Sequence, residues 1–178
     1  PERTGHAPGA PFPSNLGGLK QAWRVSLDKG YPGPIIAADR VFVAETANGD
    51  TEVVRALDRE TGQELWRASW KGKVSVPFFA KRNGDVGGME EVLVALDGQT
   101  GREVWRVDFP ERFKQPKPDF GFASSPVLDG DELYGQAANS IVKLNKQTGA
   151  TIWRSLQHSS GMMESGAFSS PVLATIAG

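Results

Sequence analysis

The stretch that decides the fold is Ala95-Leu96-Asp97-Gly98-Gln99-Thr100-Gly101-Arg102-Glu103-Val104-Trp105-Arg106. It aligns without gaps with residues 56–67 and 143–154, and the shared pattern is Leu-Asp/Asn-x-x-Thr-Gly-x-x-apolar-Trp-Arg. Trp23 and Arg24 repeat the ending alone, so that the tryptophans stand 43, 39 and 48 residues apart. Identical spacing in three segments indicates a repeated supersecondary unit. The residues that define it are Leu57, Asp58, Thr61, Gly62, Trp66, Leu96, Asp97, Thr100, Gly101, Trp105, Leu144, Asn145, Thr148, Gly149 and Trp153.

Each repeat predicts a β-hairpin. An apolar, β-rich run such as residues 92–96 comes first and supplies one strand. The Asp or Asn that follows accepts N–H groups from the turn, and the Gly adopts the left-handed conformation that closes a short hairpin with a bulge. The chain then returns as a second strand that carries Trp and Arg.

A second element recurs between these hairpins. Residues 121–128 (GFASSPVL) parallel residues 166–173 (GAFSSPVL), and Gly33-Pro34-Ile35-Ile36 is a weaker copy. Pro suits the first residue of a strand, so each copy is expected to open a unit of four short strands. Four strands in about 40–50 residues are the signature of a propeller blade. We therefore predict an all-β fold, a partial β-propeller of about four antiparallel, four-stranded blades.

Two details of these blades follow from the apolar pattern. The middle strands are nearly continuous in Val and Leu, which predicts burial on both faces by neighbouring blades. Between Trp66 and Leu96, residues 76–79 open a blade, but the next hairpin is hard to recognise in the polar, Gly-rich residues 81–88. That blade is expected to be incomplete, and a missing strand within residues 67–95 and a deletion both stay open.

The motif resembles the tryptophan-docking repeat of the pyrroloquinoline-quinone (PQQ) type β-propellers. This family includes quinoprotein alcohol dehydrogenases and non-catalytic relatives such as the outer-membrane assembly lipoprotein BamB. The resemblance implies that each Trp ring wedges between neighbouring blades with its N–H bonded to a backbone carbonyl. It is specific for the fold and not for the function, because the motif is structural throughout the family.

The resemblance also sets expectations about extent. Family propellers close with seven or eight blades, so about four blades imply either a fragment or a half-propeller that needs a second copy to close the ring. Residues 16–178 are assigned to the blades. Residues 1–15 are rich in Pro and Gly and are expected to form a flexible leader.

Composition excludes several function classes. The chain has 20 basic and 21 acidic residues, which argues against binding to nucleic acid. It has no Cys, and His6 and His158 lack partners at metal-ligand spacing, so no metal site is predicted. No apolar run approaches the ~20 residues of a membrane span.

The polar repeat residues have structural roles in this interpretation. Asp58 and Asp97 are expected to be turn caps and not acid/base catalysts. Arg67, Arg106 and Arg154 are expected to cover outer strands or to pair with acidic residues on neighbouring blades.

Two long connections follow Trp105 and Trp153 and are predicted to be loops on one propeller face, where binding surfaces form. Apolar side chains in these otherwise polar segments are either contact anchors for a partner or satellite core over the blade edges. The candidates are Phe113, Phe120, Phe122, Met162 and Met163, to which Glu164 is added as a Ca²⁺ ligand to test.

The predicted function is therefore a non-catalytic binding or scaffolding surface without a cofactor. The alternative is a fragment of a PQQ-dependent oxidoreductase. For that alternative, the resemblance implies PQQ and Ca²⁺ as cofactors on the propeller axis. A periplasmic or extracellular location follows from the resemblance only. The protein partner or small ligand stays open.

Overall fold

The computed structural model describes residues 14–30, 33–72, 92–115, 124–137, 140–157 and 169–174. This part of the chain is nearly all β. Its elements are β1 (Ile35–Ala37), β2 (Arg40–Ala47), β3 (Thr51–Asp58), β4 (Glu64–Lys71), β5 (Val92–Leu96), β6 (Glu103–Asp108), α1 (Phe109–Phe113), β7 (Val127–Asp129), β8 (Glu132–Ala137), β9 (Ser140–Asn145) and β10 (Thr151–Ser155).

The strands form three antiparallel sheets. The first sheet has the order β1-β2-β3-β4, the second consists of β5 and β6, and the third has the order β7-β8-β9-β10. Each four-stranded sheet follows the chain from strand to adjacent strand, as a propeller blade does. The opening strands β1 and β7 begin directly after Pro34 and Pro126. The predicted all-β fold of antiparallel blades is confirmed.

The buried apolar residues that the structure describes form two clusters. One cluster joins the second sheet and α1, through Val107 and Phe109, to Val142 and Leu144 of the third sheet. Another joins Val41, Val43 and Leu57 of the first sheet to the partly buried Trp23 and Val25. Because blades stack face to face, the core is divided into layers instead of forming one centre.

The prediction that middle strands are buried on both faces is wrong for β9. Ser140, Val142 and Leu144 are buried, whereas the alternating residues Ile141, Lys143 and Asn145 are only half-buried. The buried set lies against the second sheet. No sheet in the described part of the chain covers the opposite face, so the strand alternates.

The connection after Trp105 begins as a helix and not as a loop. The Asp108 side chain accepts a 2.8 Å hydrogen bond from the Glu111 amide at the start of α1, and Pro110 stands in the first turn. Both features favour helix initiation. Lys114 ends the helix in a left-handed conformation. The helix places Phe109 in the core, which the polar character of the segment did not predict.

The third copy of the blade-opening element differs from the other two. Val172 and Leu173 have irregular backbone and are exposed, although the sequence predicted a strand there. A strand of this kind needs a neighbouring strand as its hydrogen-bond partner, and the described residues provide none beside it. A strand was predicted to be missing within residues 67–95, and residues 73–91 of that segment lie outside the described residues, as do residues 1–13.

Candidate functional site

The turn between β5 and β6 shows what the polar repeat residues do. The Asp97 Oδ1 atom accepts hydrogen bonds from the Thr100 amide at 2.8 Å, the Thr100 hydroxyl at 2.7 Å and the Gln99 amide at 3.1 Å. The Gly101 amide donates to the Asp97 carbonyl at 2.8 Å, and Gly101 has a φ of 73°. One side-chain oxygen thus organises the whole turn, and the glycine supplies its left-handed residue.

The other two repeats build the same turn. Asp58 Oδ1 accepts from the Thr61 amide and hydroxyl at 2.8 and 2.7 Å, and Asn145 Oδ1 accepts from those of Thr148 at 3.0 and 3.1 Å. The Thr61 hydroxyl and backbone N–H lower the pKa of Asp58, and those of Thr100 lower the pKa of Asp97. These carboxylates therefore accept the hydrogen bonds in their ionised form, and the neutral amide of Asn145 accepts the equivalent bonds.

Each turn also receives a tryptophan from the preceding repeat. The ring lies directly on the turn glycine, and the indole N–H donates to the carbonyl of the residue after the Asp or Asn. The three bonds are Trp23 Nε1 to Arg59 O at 2.9 Å, Trp66 Nε1 to Gly98 O at 3.1 Å and Trp105 Nε1 to Lys146 O at 2.8 Å. A Trp at the end of one blade is thus fixed to the hairpin of the next.

The contact between the first two sheets has a further member, Arg40. Its guanidinium donates to the Gly98 carbonyl at 2.8 Å, to the Gln99 carbonyl at 3.0 Å and to Gln99 Oε1 at 2.5 Å. The Phe42 ring lies 5.8 Å from the Trp66 ring at an angle of 50°. Arg40 escaped the sequence analysis because it stands outside the repeated pattern, at the start of β2 directly after a hairpin turn, where a solvated Arg is ordinary.

The arginines that follow the repeat tryptophans pair within their own strands. Arg67 donates to Glu64 at 3.0 Å and Arg106 to Glu103 at 2.6 Å. The sequence had predicted that these arginines cover outer strands or pair with acidic residues on neighbouring blades, and these two ion pairs lie within a single strand instead. Residues three apart across the bulge of a strand lie close enough for this pairing. The Arg67 guanidinium lowers the pKa of Glu64, and the Arg106 guanidinium lowers the pKa of Glu103.

Arg154 differs from the other two. It donates to the Ser140 hydroxyl at 2.7 Å and to the side chain of Gln115, and its guanidinium stacks 4.2 Å above the Phe113 ring. Phe113 also packs against the core cluster and lies parallel to the Phe109 ring at 5.8 Å. Phe113 therefore contacts the core cluster while its ring stays only partly buried.

A buried ion-pair network in the first sheet was also missed from sequence. Glu45 is 6% exposed and lies 3.6 Å from Arg55. Arg55 further contacts Glu64 at 2.6 Å and donates to the Ser26 carbonyl at 3.1 Å. Glu45 also accepts the Asp28 amide at 2.6 Å. The network ties residues 26–28 to the sheet, and only the burial of Glu45 in the folded chain reveals it.

The remaining candidate binding residues, Phe120, Phe122, Met162, Met163 and Glu164, lie outside the described residues. In the described ranges, no group of three or more His, Asp or Glu side chains is placed to hold a metal ion. Nor does this part of the chain contain a helix long and apolar enough to cross a membrane.

The comparisons with known proteins agree with this geometry. Residues 49–178, more than half of the chain, match the family model described as outer membrane protein assembly factor BamB. No curated protein sequence matches the chain significantly.

Solved structures give the fold comparison. A europium-containing methanol dehydrogenase superposes with a TM-score of 0.51 at 16% identity, over 76% of this chain and 27% of the enzyme. BamB from Moraxella catarrhalis gives 0.47 at 18% identity, over 79% of this chain and 40% of BamB. Quinohemoprotein alcohol dehydrogenase from Comamonas testosteroni gives 0.48 at 20% identity, over 74% and 21%. The chain therefore spans less than half of the length of each of these proteins.

Proposed function

Because the chain belongs to the BamB-like family of PQQ-type β-propeller repeat proteins, we propose that it is a non-catalytic propeller segment that serves as a binding or scaffolding surface. In this proposal residues 16–178 are blades, residues 1–15 are a leader, and further blades or a second copy close the ring. A periplasmic location, associated with the outer membrane, accords with the family description.

One observation carries the proposal: the side chains that all repeats share are engaged in structural contacts. The Asp, Asn and Thr residues cap the turns, and the tryptophan rings pack on the turn glycines. The repeat arginines pair with Glu64 and Glu103 or lie over Phe113. Catalysis needs a polar group poised against a substrate, and these groups are already satisfied. Their arrangement supports a rigid frame that displays connecting segments.

The display surface is proposed to be the connections that follow β6 and β10. In a propeller these cross one face toward the axis, and rigidly held loops are common binding elements. Phe120, Phe122, Met162 and Met163 are the proposed contact anchors, because large apolar side chains dominate binding energies. Phe113 is left out of the proposed anchors, because its ring contacts the core cluster.

Site-specific photo-cross-linking tests this surface. A photoreactive amino acid is placed at Met162 and, in a matched control, at Val104, an exposed residue of the outer strand β6. We expect one discrete cross-linked protein from an envelope extract with the probe at 162 and none at 104. Equal products from both positions, or no product from 162, would contradict the proposal.

Titration with PQQ and Ca²⁺ separates the proposal from the oxidoreductase alternative. The expected result is no saturable change in tryptophan fluorescence or in PQQ absorbance. A saturable change that is abolished by Glu164→Gln would support the alternative and identify that carboxylate as a Ca²⁺ ligand. The readout is binding and not turnover, so a chain that lacks other parts of an enzyme would still report it.

A further inference from the structure

The first and third sheets carry the same register, so their positions correspond one to one. Arg40 pairs with Asp58 across the first sheet, and Glu132 pairs with Asn145 across the third. Two residues later Phe42 corresponds to Tyr134. Trp66 and Trp153 likewise stand opposite Ala56 and Lys143. The same end face can therefore be compared in a covered and in an uncovered state.

The first sheet shows the covered state. Its end face consists of Trp66, Phe42 and Arg40, and it holds the turn Asp97–Gly101 of the next repeat. The two residues between Asp97 and Thr100, Gly98 and Gln99, are the variable positions of the turn. Trp66 donates to the Gly98 carbonyl, and Arg40 donates to the carbonyls of Gly98 and Gln99 and to the Gln99 side chain. The carbonyls are common to all repeats, so Arg40 senses the identity of the turn through the side chain at the second variable position.

On the third sheet the structure describes no turn against the corresponding face, and Trp153 is 40% exposed; this is the uncovered state. The Tyr134 ring lies edge-on to Trp153 at 6.2 Å, as Phe42 lies beside Trp66. In place of Arg40 stands Glu132. One of its oxygens contacts Lys143 at 2.5 Å, and the other accepts the Tyr134 hydroxyl at 2.7 Å. The third sheet thus keeps the aromatic residues of the face, but it carries a negative charge where the first sheet has the positive charge of Arg40.

We propose that the end face formed by Trp153, Tyr134 and Glu132 binds a repeat turn that carries a basic residue at its second variable position, in the pattern Asp/Asn-x-Lys/Arg-Thr-Gly. The exchange of Arg40 for Glu132 selects which turn docks. Complementary charge selects partners, and like charge excludes wrong ones. Each carboxylate oxygen of Glu132 has a lone pair left after its present bond, so it can accept a further cation.

The three turns that the structure describes do not fit this face when a second copy of the chain presents them. The three turns in the described residues are already occupied by Trp23, Trp66 and Trp105. Their second variable positions hold Glu60, Gln99 and Gln147, none of which is basic. Glu60 would in addition place a like charge against Glu132. The occupant is therefore a PQQ-type repeat with a different turn.

Hairpin peptides test the proposal on the intact chain. The parent is a cyclised hairpin with the sequence of residues 94–106, compared with its Gln99→Lys and Gln99→Glu forms. The readout is the indole N–H resonance of Trp153 in the ¹⁵N-labelled chain, assigned with Trp153→Phe. We expect the Lys peptide to bind about three- to tenfold more tightly than the Glu peptide, because the attraction of Lys and the repulsion of Glu each contribute a few-fold at an exposed site.

Glu132→Arg supplies the decisive comparison, because it should reverse the order so that the Glu peptide binds best. Unchanged Trp66 and Trp105 resonances show that the variant is folded, and Glu132→Gln should remove the discrimination. The same order in wild type and Glu132→Arg would overturn the charge selection. Absence of any Trp153 shift with all three peptides would overturn the docking site. The inference rests on blade stacking and not on the proposed binding role, so the cross-linking test is independent of it.

Discussion

Gly101 lies directly beneath the ring of Trp66. A Cβ atom added to Gly101 would come within 2.5 Å of Cε3 of that ring, and the residue has a φ of 73°. The glycine is thus required for two separate reasons, the left-handed backbone and the close approach of the indole. Gly62 and Gly149 stand in the same relation to Trp23 and Trp105.

Gly101→Ala should therefore lower the free energy of unfolding by about 3 kcal/mol. A left-handed alanine costs about 1–2 kcal/mol, and the overpacked contact adds about 1–3 kcal/mol. Urea denaturation followed by tryptophan fluorescence measures the loss. Gly49→Ala is the matched control, because Gly49 has the same φ of 73° and open space around it. It should lose only about 1 kcal/mol, and equal losses would show that the ring contact has no energetic role.

Trp66→Phe should lower the free energy of unfolding by about 1–2 kcal/mol, since it removes the bond to Gly98 and part of the ring contact. Trp153→Phe should change it by less than about 0.5 kcal/mol, because no described turn docks on Trp153. Comparison of the two urea midpoints checks this. A larger loss of unfolding free energy from Trp153→Phe than from Trp66→Phe would be inconsistent with the docking of Trp66 on the turn of the next repeat.

The turn caps predict a dependence on pH. Folding lowers the pKa values of Asp58 and Asp97, chiefly through the threonine hydroxyls. Their contribution to stability is therefore present above the unfolded pKa, which is near 3.9, and is lost as the pH falls through the folded values. Asn145 shows that an amide can form the same turn.

The variant Asp58→Asn/Asp97→Asn should thus lose less stability than wild type as the pH falls from about 5 to about 2. Urea midpoints at several pH values measure the slope. Other carboxylates with lowered pKa values, such as Glu64 and Glu103, stay in place, so the slope should fall and not vanish. An unchanged slope would mean that the caps do not titrate with folding.

Arg55→Ala should lower the free energy of unfolding by about 3 kcal/mol, because it leaves the buried Glu45 carboxylate without its cation. Arg67→Ala is the control. It removes a cation from the same partner, Glu64, but its side chain is 52% exposed, so the loss should stay below about 0.5 kcal/mol. Equal losses of unfolding free energy for the two variants in chemical denaturation would indicate that Arg55 does not compensate the buried charge of Glu45.

Repeat spacing made the blades and the turn chemistry predictable, because Asp97, Thr100 and Gly101 act on neighbours a few residues away. The propensity of such residues for one turn conformation is local. The opening strands after Pro34 and Pro126 were predictable for the same reason.

Features that depend on distant residues were not predictable. Arg40 reaches a turn 58 residues later, and Glu45 is buried only when Arg55 and Asp28 converge on it. Phe113 stood in a polar segment, and only a helix started by Asp108 brings it to the core. One-face burial of β9 depends on which neighbouring sheet is present, and a single strand pattern does not contain that information.

The central claim is that three tryptophans fix one repeat to the next. Hydrogen exchange of the indole N–H groups, followed by NMR on the ¹⁵N-labelled chain, tests it most directly. The N–H groups of Trp23, Trp66 and Trp105 should exchange slowly, since each is bonded to a backbone carbonyl, and that of the exposed Trp153 should exchange fast. Uniformly fast exchange, or protection of Trp153 alone, would contradict the docking of the repeats.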